Sequence, residues 1–368
     1  MDIGGRQQAA LRLMEQEGVD VMLVAPNELN RVDTVFHLTG YRGVGESLAV
    51  LRRGEKPLLI VTPEWEVERA QARAIGWDVR ATDDLPQAIS TLFAKGLPAG
   101  KTATVNLGRL PAAIGKKLGA IVGAEAKKLD KELEKALMPK TGDEIEHARR
   151  ATAIAEKGFD RMLQIAKVGM AECDLAVQLK LYMEELGADD NFWLMTASQH
   201  NRAVQPSSGR KLEVGDIILA EMTPTYRGQL AQICRTAIMG PPSNLLAEKY
   251  ALVVRAMEAG IRTVRPGIKM AAVANAIDEV LSAQGYAEYC RPPHIRRRGH
   301  GLGHGSNAPG DVAPENEVIL QEDMVFVVHP NQYLPETGYL LCGEPVHVTA
   351  NGVEQMSKRT AWLASVPV

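Results

Sequence analysis

The residues best suited to chemistry in this sequence lie in a glycine-rich stretch, residues 299–314. His300 and His304 are four positions apart there, with glycines between and around them. An imidazole nitrogen can bind a metal ion or move a proton near neutral pH, and glycine lets the backbone pass close to a ligand. The same pattern is also typical of an ordinary glycine-rich turn. The pair therefore indicates a site only if other elements bring further polar groups to it.

The first part of the chain alternates between helical and strand-like patterns. Apolar residues with helical spacing occur at 8–18, 64–75, 85–93 and 112–118, and short apolar runs typical of strands occur at 19–25, 48–51, 58–61 and 102–106. This alternation predicts a small α/β domain over residues 1–130. We predict a linker at 131–142, where a charged segment ends in Pro-Lys-Thr-Gly, and a second domain at 143–368.

The second domain begins with helices and continues with strands. The patterns predict helices at 143–167, 172–186, 245–260 and 270–284, and strands at 216–222, 232–239, 324–329 and 344–349. The connection between the first two strands contains proline and glycine, as a hairpin requires. We therefore expect an α+β domain with a mainly antiparallel sheet.

Composition narrows the classes of partner. The 368 residues are 45% hydrophobic and 24% charged, with a net charge of −3 and no long basic run, so neither nucleic acid nor a membrane is an expected partner. No signal peptide or membrane-spanning run is visible. The widely spaced cysteines lack a Cys-x-x-Cys pair and are typical of reduced thiols; they are Cys173, Cys234, Cys290 and Cys342. We expect a cytoplasmic protein.

Five motifs, taken together, resemble those of the creatinase, aminopeptidase P and prolidase family, and they occur in the family's order. They read KTGDEIEHARRATAIAEKGFDRM, GDIILAEMTPTYRGQLAQICRT, RGHGLGHG, MVFVVHPNQYLP and GEPVHVTANGVEQMS. The resemblance covers roughly residues 140–358, and residues 1–130 are less specifically similar to the family's N-terminal domain. It implies the pita-bread fold, a curved antiparallel sheet backed by helices. It also implies a homodimer and a small-molecule substrate.

The resemblance also implies where metallopeptidase members of the family bind two divalent metals. Those members use two aspartates, one histidine and two glutamates. The matching positions of this sequence hold Glu221, Gln232, His304, His329 and Gly343, the last followed by Glu344. A substrate-facing histidine expected near 204–206 is missing, and the segment that resembles HExP is Asp-Val-Ala-Pro at 311–314. Two cations need several carboxylates, so we do not expect a dinuclear site.

From these departures we predict a metal-independent hydrolase that cleaves a C–N bond in a small polar amide, amidine or guanidine. Creatinase is the family member that uses this fold without a metal. We expect no cofactor and assign no residue as a metal ligand. His304 or His329 would act as general base or acid. Glu221 would fix an imidazole, bind a cationic substrate or attack a carbon, and Gln232 would orient water or substrate.

Four further residues are predicted to contact the substrate or support the site. Glu344 would pair with a cation or amide of the substrate, and His300 would orient the glycine-rich loop by hydrogen bonding. One of the three consecutive arginines at 296–298, for which we take Arg298, would bind a substrate carboxylate with two parallel hydrogen bonds. Tyr339 belongs to a segment, residues 333–339, that would form a wall of the pocket.

Three alternatives stay open. Glu221, His304 and His329 together form a two-histidine, one-carboxylate set that suits one iron, zinc or manganese ion, which would make the protein a mononuclear hydrolase or lyase. The second alternative is a non-catalytic pita-bread domain that binds peptides or metabolites. The third is a metallopeptidase that cleaves Xaa-Pro peptides.

Overall fold

The computed structural model describes residues 3–26, 33–98, 100–303 and 308–368, which form two compact units. The first unit runs to Thr141 and the second begins at Gly142. Helix Asp130–Leu137 occupies much of the segment predicted as a linker, because its Leu133 and Leu137 belong to the hydrophobic core of the first unit. We therefore propose the domain boundary at residues 141–142.

The first unit contains a six-stranded mixed sheet with helices on both faces. Its strands are β1 (Val21–Val24), β2 (Ser47–Arg52), β3 (Leu58–Val61), β4 (Asp78–Ala81), β5 (Thr102–Val105) and β6 (Lys127–Lys128), in the order β4-β3-β2-β1-β5-β6. Its helices are α1 (Ile3–Gln16), α2 (Thr34–Thr39), α3 (Val67–Arg73), α4 (Leu85–Leu92), α5 (Ala112–Val122) and α6 (Asp130–Leu137).

Strand β1 explains the apolar run at residues 19–25. Met22 and Val24 pack into one hydrophobic cluster, while Val21 and Leu23 pack into a second cluster on the opposite face. A strand covered on both faces has no polar side, so its sequence is continuously apolar. The α/β character predicted for this part of the chain is confirmed by the layered arrangement.

The second unit has long helices and a set of mostly antiparallel strands. The helices are α7 (Gly142–Ile165), α8 (Glu172–Glu185), α9 (Asn244–Thr263) and α10 (Met270–Leu281). The strands are β7 (Asp190–Ser198), β8 (Ile217–Tyr226), β9 (Gln229–Leu230), β10 (Ile233–Met239), β11 (Gly299–Gly301), β12 (Val325–Val328), β13 (Gln332–Leu334), β14 (Gly338–Leu340), β15 (Glu344–Thr349), β16 (Gly352–Gln355) and β17 (Ala364–Val366).

Two sheets of the second unit hold the site. One has the order β17-β10-β8-β7 and the other has the order β11-β12-β15-β16, and a backbone bridge between Cys234 and Gly343 joins them. Residues 220, 222 and 233 of β8 and β10 pack into one core cluster with Phe159 of α7 and Leu179 of α8. Because side chains alternate along a strand, residues 221, 232 and 234 point to the other face of this sheet.

Strand β7 was not predicted from the sequence. Its Met195 and Ala197 are buried in the same hydrophobic cluster as residues of α7 and α8. Thr196, between them, points to the other face, as expected for a strand covered on one face. The helix predicted at 270–284 ends at Leu281. A π-helical turn, Ser282–Tyr286, follows it directly. Among the described residues, every helix is too short or too polar to cross a membrane.

Candidate active site

A row of four residues crosses the two sheets and forms the centre of the site. Glu221 of β8 pairs with Cys234 of β10, and Cys234 pairs with Gly343 through two backbone hydrogen bonds of 3.1 Å. Gly343 in turn lies against His329, which directly follows β12. Directly opposed residues of antiparallel strands share a face, so the Glu221 and Cys234 side chains lie side by side.

Gln232 lies on the same face as this row but is occupied by neighbours. Its side-chain oxygen accepts a hydrogen bond from the Thr223 hydroxyl at 3.3 Å, and its amide nitrogen lies 3.6 Å from the Cys234 sulfur. The side chain is buried. Gln232 therefore supports the floor of the site, and its predicted role in orienting water or substrate stays a proposal.

At Gly343, where the resemblance implies a second glutamate, neighbouring atoms occupy the space that a side chain would need. A Cβ atom at Gly343 would lie 2.6 Å from the His329 Cβ and 3.0 Å from both the Cβ and the Sγ of Cys234. Distances this short require the backbone to move, because two of the three atoms are Cβ atoms. A carboxylate side chain therefore cannot be accommodated at position 343 while these strands keep their spacing.

The neighbouring carboxylate, Glu344, does not replace it. Glu344 is fully buried and accepts hydrogen bonds from Arg235 Nη2 at 3.0 Å, from the Ala361 backbone at 2.7 Å and from the Ser357 hydroxyl. Adjacent residues of a strand point to opposite faces, so Glu344 lies on the other side of the sheet from the row. This geometry argues against the predicted contact between Glu344 and a substrate.

Glu221 is the carboxylate that faces the site. Asn331 Nδ2 donates a hydrogen bond to its Oε1 at 2.9 Å, and the Cys234 sulfur lies 3.9 Å from the same oxygen. Burial raises the pKa of Glu221, although Asn331 and the charge of Arg297 oppose this shift. Burial also raises the pKa of Cys234, so this cysteine is a protonated thiol rather than a nucleophilic thiolate.

His329 is a buried imidazole. Among the residues that the structure describes, neither of its ring nitrogens has a hydrogen-bond partner. Burial lowers the pKa of His329 well below its ordinary value, and the neighbouring His300 and the charge of Arg297 add to this shift. The ring is therefore neutral, which is the form that binds a metal or accepts a proton. The His300 ring meets it edge to face, with centroids 5.2 Å apart.

His300 has a defined tautomer. Its Nδ1 lies 3.0 Å from the backbone oxygen of Gly301, and because a carbonyl oxygen only accepts, Nδ1 must carry the proton. Burial lowers the pKa of His300, so Nε2 is an unprotonated acceptor. The backbone contact supports the prediction that His300 orients the glycine-rich loop. His304, the second histidine of that stretch, lies outside the described residues.

Tyr339 lies beside the row. Burial, together with the charge of Glu221, raises the pKa of its phenol, so the hydroxyl stays protonated and can donate a hydrogen bond. Its backbone N–H donates to Asn201 at 2.7 Å. Gly338 permits this contact, because a Cβ there would lie 2.6 Å from the Asn201 oxygen and its φ of +78° favours glycine.

Arg298 is engaged by partners within the protein. It is buried, and Nε donates to Asp278 at 2.7 Å while Nη1 donates to the Pro330 oxygen and to Gln332, both at 2.9 Å. Nη2 also lies 2.6 Å from Asp278. The guanidinium joins α10 to the segment after β12, and these contacts argue against the prediction that it binds a substrate carboxylate.

Comparison with known proteins identifies the family. The model of metallopeptidase family M24 matches residues 146–351, and that of the creatinase/prolidase N-terminal domain matches residues 6–149. An uncharacterized peptidase of Bacillus subtilis is 27% identical over 92% of this chain and 94% of its own length. An Xaa-Pro dipeptidase of Pyrococcus furiosus is 22% identical over 96% of this chain and 97% of its own length.

Solved structures agree with this assignment. A dipeptidase of Mycobacterium ulcerans superimposes with a TM-score of 0.84 at 25% identity and covers all of both chains. A prolidase of Pyrococcus horikoshii superimposes with a TM-score of 0.83 at 22% identity over 97% of this chain and 99% of the other. The chain belongs to metallopeptidase family M24. It has a creatinase-like N-terminal domain and a C-terminal pita-bread domain, and it falls in a family of hydrolases, as predicted.

The family overturns one prediction. We predicted that the protein needs no cofactor, but the matching family is one of metallopeptidases, so a metal is the cofactor that the family implies. The residues do not fit a two-metal centre: Gln232 is a neutral amide, position 343 has no room for a side chain, and Glu344 is paired with Arg235. No cluster of three metal-binding side chains occurs within the described ranges.

A single cation fits better. His329 offers a neutral imidazole whose nitrogens are unused within the described part of the chain, and Glu221 offers a carboxylate on the adjoining strands. Two donors do not hold an ion firmly, and a third must come from elsewhere. His304 is the remaining member of the predicted two-histidine, one-carboxylate set.

Sequence reasoning missed Asn331, and among the three consecutive arginines it selected Arg298 rather than Arg297. Asn331 has a φ of +42°, and this backbone conformation directs its amide to Glu221. Asparagine adopts the left-handed region more readily than most residues, so an asparagine after proline at the end of a motif strand was the available signal. Only the alternation of side chains along extended backbone could have indicated that Arg297 and Arg298 point to opposite sides.

Proposed function

We propose that this protein is a hydrolase that cleaves a C–N bond in a small polar substrate and uses one divalent cation. The amide bond of Xaa-Pro dipeptides is the first substrate class to test, because an Xaa-Pro dipeptidase is among the relatives that match nearly the full chain. The observation that carries the proposal is the buried imidazole of His329, which lies in the row that contains Glu221 and has no hydrogen-bond partner among the described residues.

The residues of the site divide the work as follows. Glu221, His329 and His304 would hold the cation, which would supply a Lewis acid that polarises the scissile carbonyl. Burial raises the pKa of Glu221 in the protein without a metal, and its carboxylate would also be placed to accept a proton from the attacking water. Asn331 fixes the orientation of that carboxylate, and the protonated Tyr339 hydroxyl would donate a hydrogen bond to the substrate.

The test is turnover with and without metal. Protein freed of metal with a chelator would be assayed by mass spectrometry on Xaa-Pro dipeptides and on small amides, amidines and guanidines, before and after addition of manganese, cobalt or zinc. We expect turnover only after metal addition. Glu221→Gln and His329→Ala should each lower kcat by at least about 100-fold, whereas Glu258→Gln, an exposed residue of α9, should leave it unchanged.

Two outcomes would contradict the proposal. One is equal turnover in chelated and metal-loaded protein. The other is the lack of any product from all four substrate classes together with tight binding of one of them, which would favour the non-catalytic binding domain.

A further inference from the structure

Cys234 lies in the middle of the row, and no step of the proposed function uses its thiol. On one side, its sulfur is 3.9 Å from Glu221 Oε1. On the other side, the sulfur is 3.0 Å from the position that a Cβ atom of residue 343 would occupy. The sulfur therefore fills space that the glutamate implied at position 343 would need. Where the resemblance implies a carboxylate, the site has a thiol.

His329 lies on the other side of the same glycine. Its Cβ is 2.6 Å from the Cβ position at Gly343, so the imidazole and the thiol of Cys234 both border this position. The residue is 5% exposed, and its two ring nitrogens have no hydrogen-bond partner within the described ranges. A buried imidazole without a partner indicates a ligand, because burying an unsatisfied polar group is costly. The absence of a side chain at Gly343 brings this imidazole close to the sulfur.

The separation between the Glu221 oxygen and the Cys234 sulfur suits a single metal ion. Bonds to zinc are about 2.3 Å long for sulfur and about 2.0–2.2 Å long for a carboxylate oxygen, so two such donors on a tetrahedral ion lie about 3.6 Å apart. The observed 3.9 Å is close to this separation. The residues that the structure describes contain no preformed group of three ligands. Binding therefore also requires His329 to turn toward the ion, together with His304.

Gln232 supports the sulfur. Its amide nitrogen donates to the Cys234 sulfur at 3.6 Å, and the Thr223 hydroxyl donates to its oxygen at 3.3 Å. The contact with Thr223 holds the amide so that its N–H groups face the sulfur. Hydrogen bonds of this kind orient a metal-bound sulfur and tune the metal. A neutral amide at position 232 thus fits a site whose negative charge comes from Glu221 and a thiolate.

We propose that Cys234 is a ligand of the divalent cation and makes the site select a thiophilic ion such as zinc over manganese. The thiol loses its proton to solvent as the metal–sulfur bond forms, so the bound group is a thiolate. Thiolate is a soft ligand that favours zinc, whereas carboxylate oxygens suit manganese. This inference rests on the proposed function, because it concerns the same cation, and it adds a ligand that the resemblance does not imply.

The experiment detects the metal–sulfur bond directly. Chelated protein, kept reduced, is loaded with one equivalent of cobalt, and its near-ultraviolet spectrum is recorded for the charge-transfer band of a cobalt–thiolate bond. X-ray absorption of the zinc-loaded protein measures the bond length. We expect the cobalt band and one sulfur at about 2.3 Å from zinc.

Cys234→Ser should abolish the cobalt band and remove the sulfur neighbour of zinc. It should weaken zinc binding by at least about 10-fold, which is the loss found even for groups that only support a ligand. Manganese binding should change by less than about threefold, because manganese gains little from a soft ligand. Competition titrations with a metal indicator measure both affinities.

Cys342→Ser is the matched control. Cys342 is also fully buried, but its sulfur donates to the Val253 oxygen at 3.6 Å. This variant should keep the band and the affinity for zinc. Because Cys234→Ser changes a buried group and can disturb folding, a second variant combines Cys173→Ser, Cys290→Ser and Cys342→Ser, which leaves Cys234 as the last of the four cysteines. It should also keep the band.

The outcomes separate this inference from the proposed function. Cobalt or zinc bound without a sulfur neighbour would overturn the role of Cys234, as would a band that survives Cys234→Ser. A metal–sulfur bond in protein that cleaves none of the tested substrates would support this inference and refute the proposed function. Metal-dependent turnover with only oxygen and nitrogen around the metal would do the reverse, and a lack of bound metal would refute both.

Discussion

The atoms around Gly343 leave no room for a side chain. We expect Gly343→Ala to lower the free energy of unfolding by about 1–3 kcal/mol, because its Cβ would meet the Cβ atoms of His329 and Cys234, which move only with the backbone. Gly352→Ala is the matched control: its Cβ would meet nothing within 4 Å, and the change should stay below about 0.5 kcal/mol. Denaturant titration measures both. Equal stability of the two variants would contradict the close packing.

The sequence identified some site residues because they depend on short-range order. The positions of Glu221 and His329 follow from motif spacing and from the alternation of side chains in a strand. The same reasoning could not show whether Glu344 and Arg298 are free to contact a substrate, because that depends on their ion-pair partners in distant segments. Arg235 lies 109 positions before Glu344, and Asp278 lies 20 positions before Arg298. A sequence pattern shows a charged side chain but not the partner that occupies it.

Helix α7 is tied to strand β16 by one ion pair. Arg149 Nε and Nη2 donate to the two carboxylate oxygens of Glu354 at 2.8 and 2.6 Å. These bonds, with a further contact from His347, lower the pKa of Glu354 from 4.5 to about 2. A carboxyl whose pKa is lowered on folding contributes stability above its unfolded pKa, and this contribution is lost as pH falls toward the folded value.

The resulting prediction concerns Glu354→Gln. About a third of the Glu354 side chain is exposed, so solvent screening keeps the expected loss at pH 7 to about 1 kcal/mol. The difference from wild type should shrink between pH 4.5 and about 2. Urea unfolding across this range measures it. Glu146→Gln, whose partner is also Arg149 but whose side chain is 72% exposed, should have a smaller effect; equal effects would argue against the helix–strand tie.

Elements with a clear apolar pattern were predictable, and the three-residue strands were not. Strand β15 has the predicted bounds, 344–349, and helices α7 and α8 begin and end within two residues of the predicted positions, because each carries a full period of apolar residues. The three-residue strands β11, β13 and β14 have no such period. The β13–β14 hairpin is held by Gly338 against Asn201, a contact between distant segments that local composition does not encode.

Under the proposed function, the protein should bind one divalent cation. On the same proposal, Glu221, His329 and His304 would supply one set of donors, and the described residues around Gly343 fill the space for a second set. Mass spectrometry should find one equivalent of metal per chain. At a free concentration 100 times Kd, the cation should stabilise the protein by about 2.7 kcal/mol.

The thermal transition should therefore rise with metal in the wild type and in His200→Ala, whose exposed ring contacts the Pro335 oxygen, but not in His329→Ala. Two equivalents of metal, or a rise that survives His329→Ala, would contradict this stoichiometry.

The fold as a whole was predictable because five motifs follow the family's order over most of the second domain. The cofactor was not predictable, because residues that cannot bind two metal ions could still bind one. The predicted homodimer and the cytoplasmic location remain predictions, as does the small-molecule substrate. Family membership supports a hydrolase, and the side chains within the row differ from the ligand set that the resemblance implies.

The packing around Gly343 also has an evolutionary consequence. A single codon change can place a carboxylate at position 343, but the protein that results must separate His329 from Cys234 before the new side chain fits. Glu344 offers no shortcut, since it points to the opposite face and is held by Arg235. A carboxylate at position 343 would therefore require changes at several positions together, because the new side chain does not fit unless its neighbours also move.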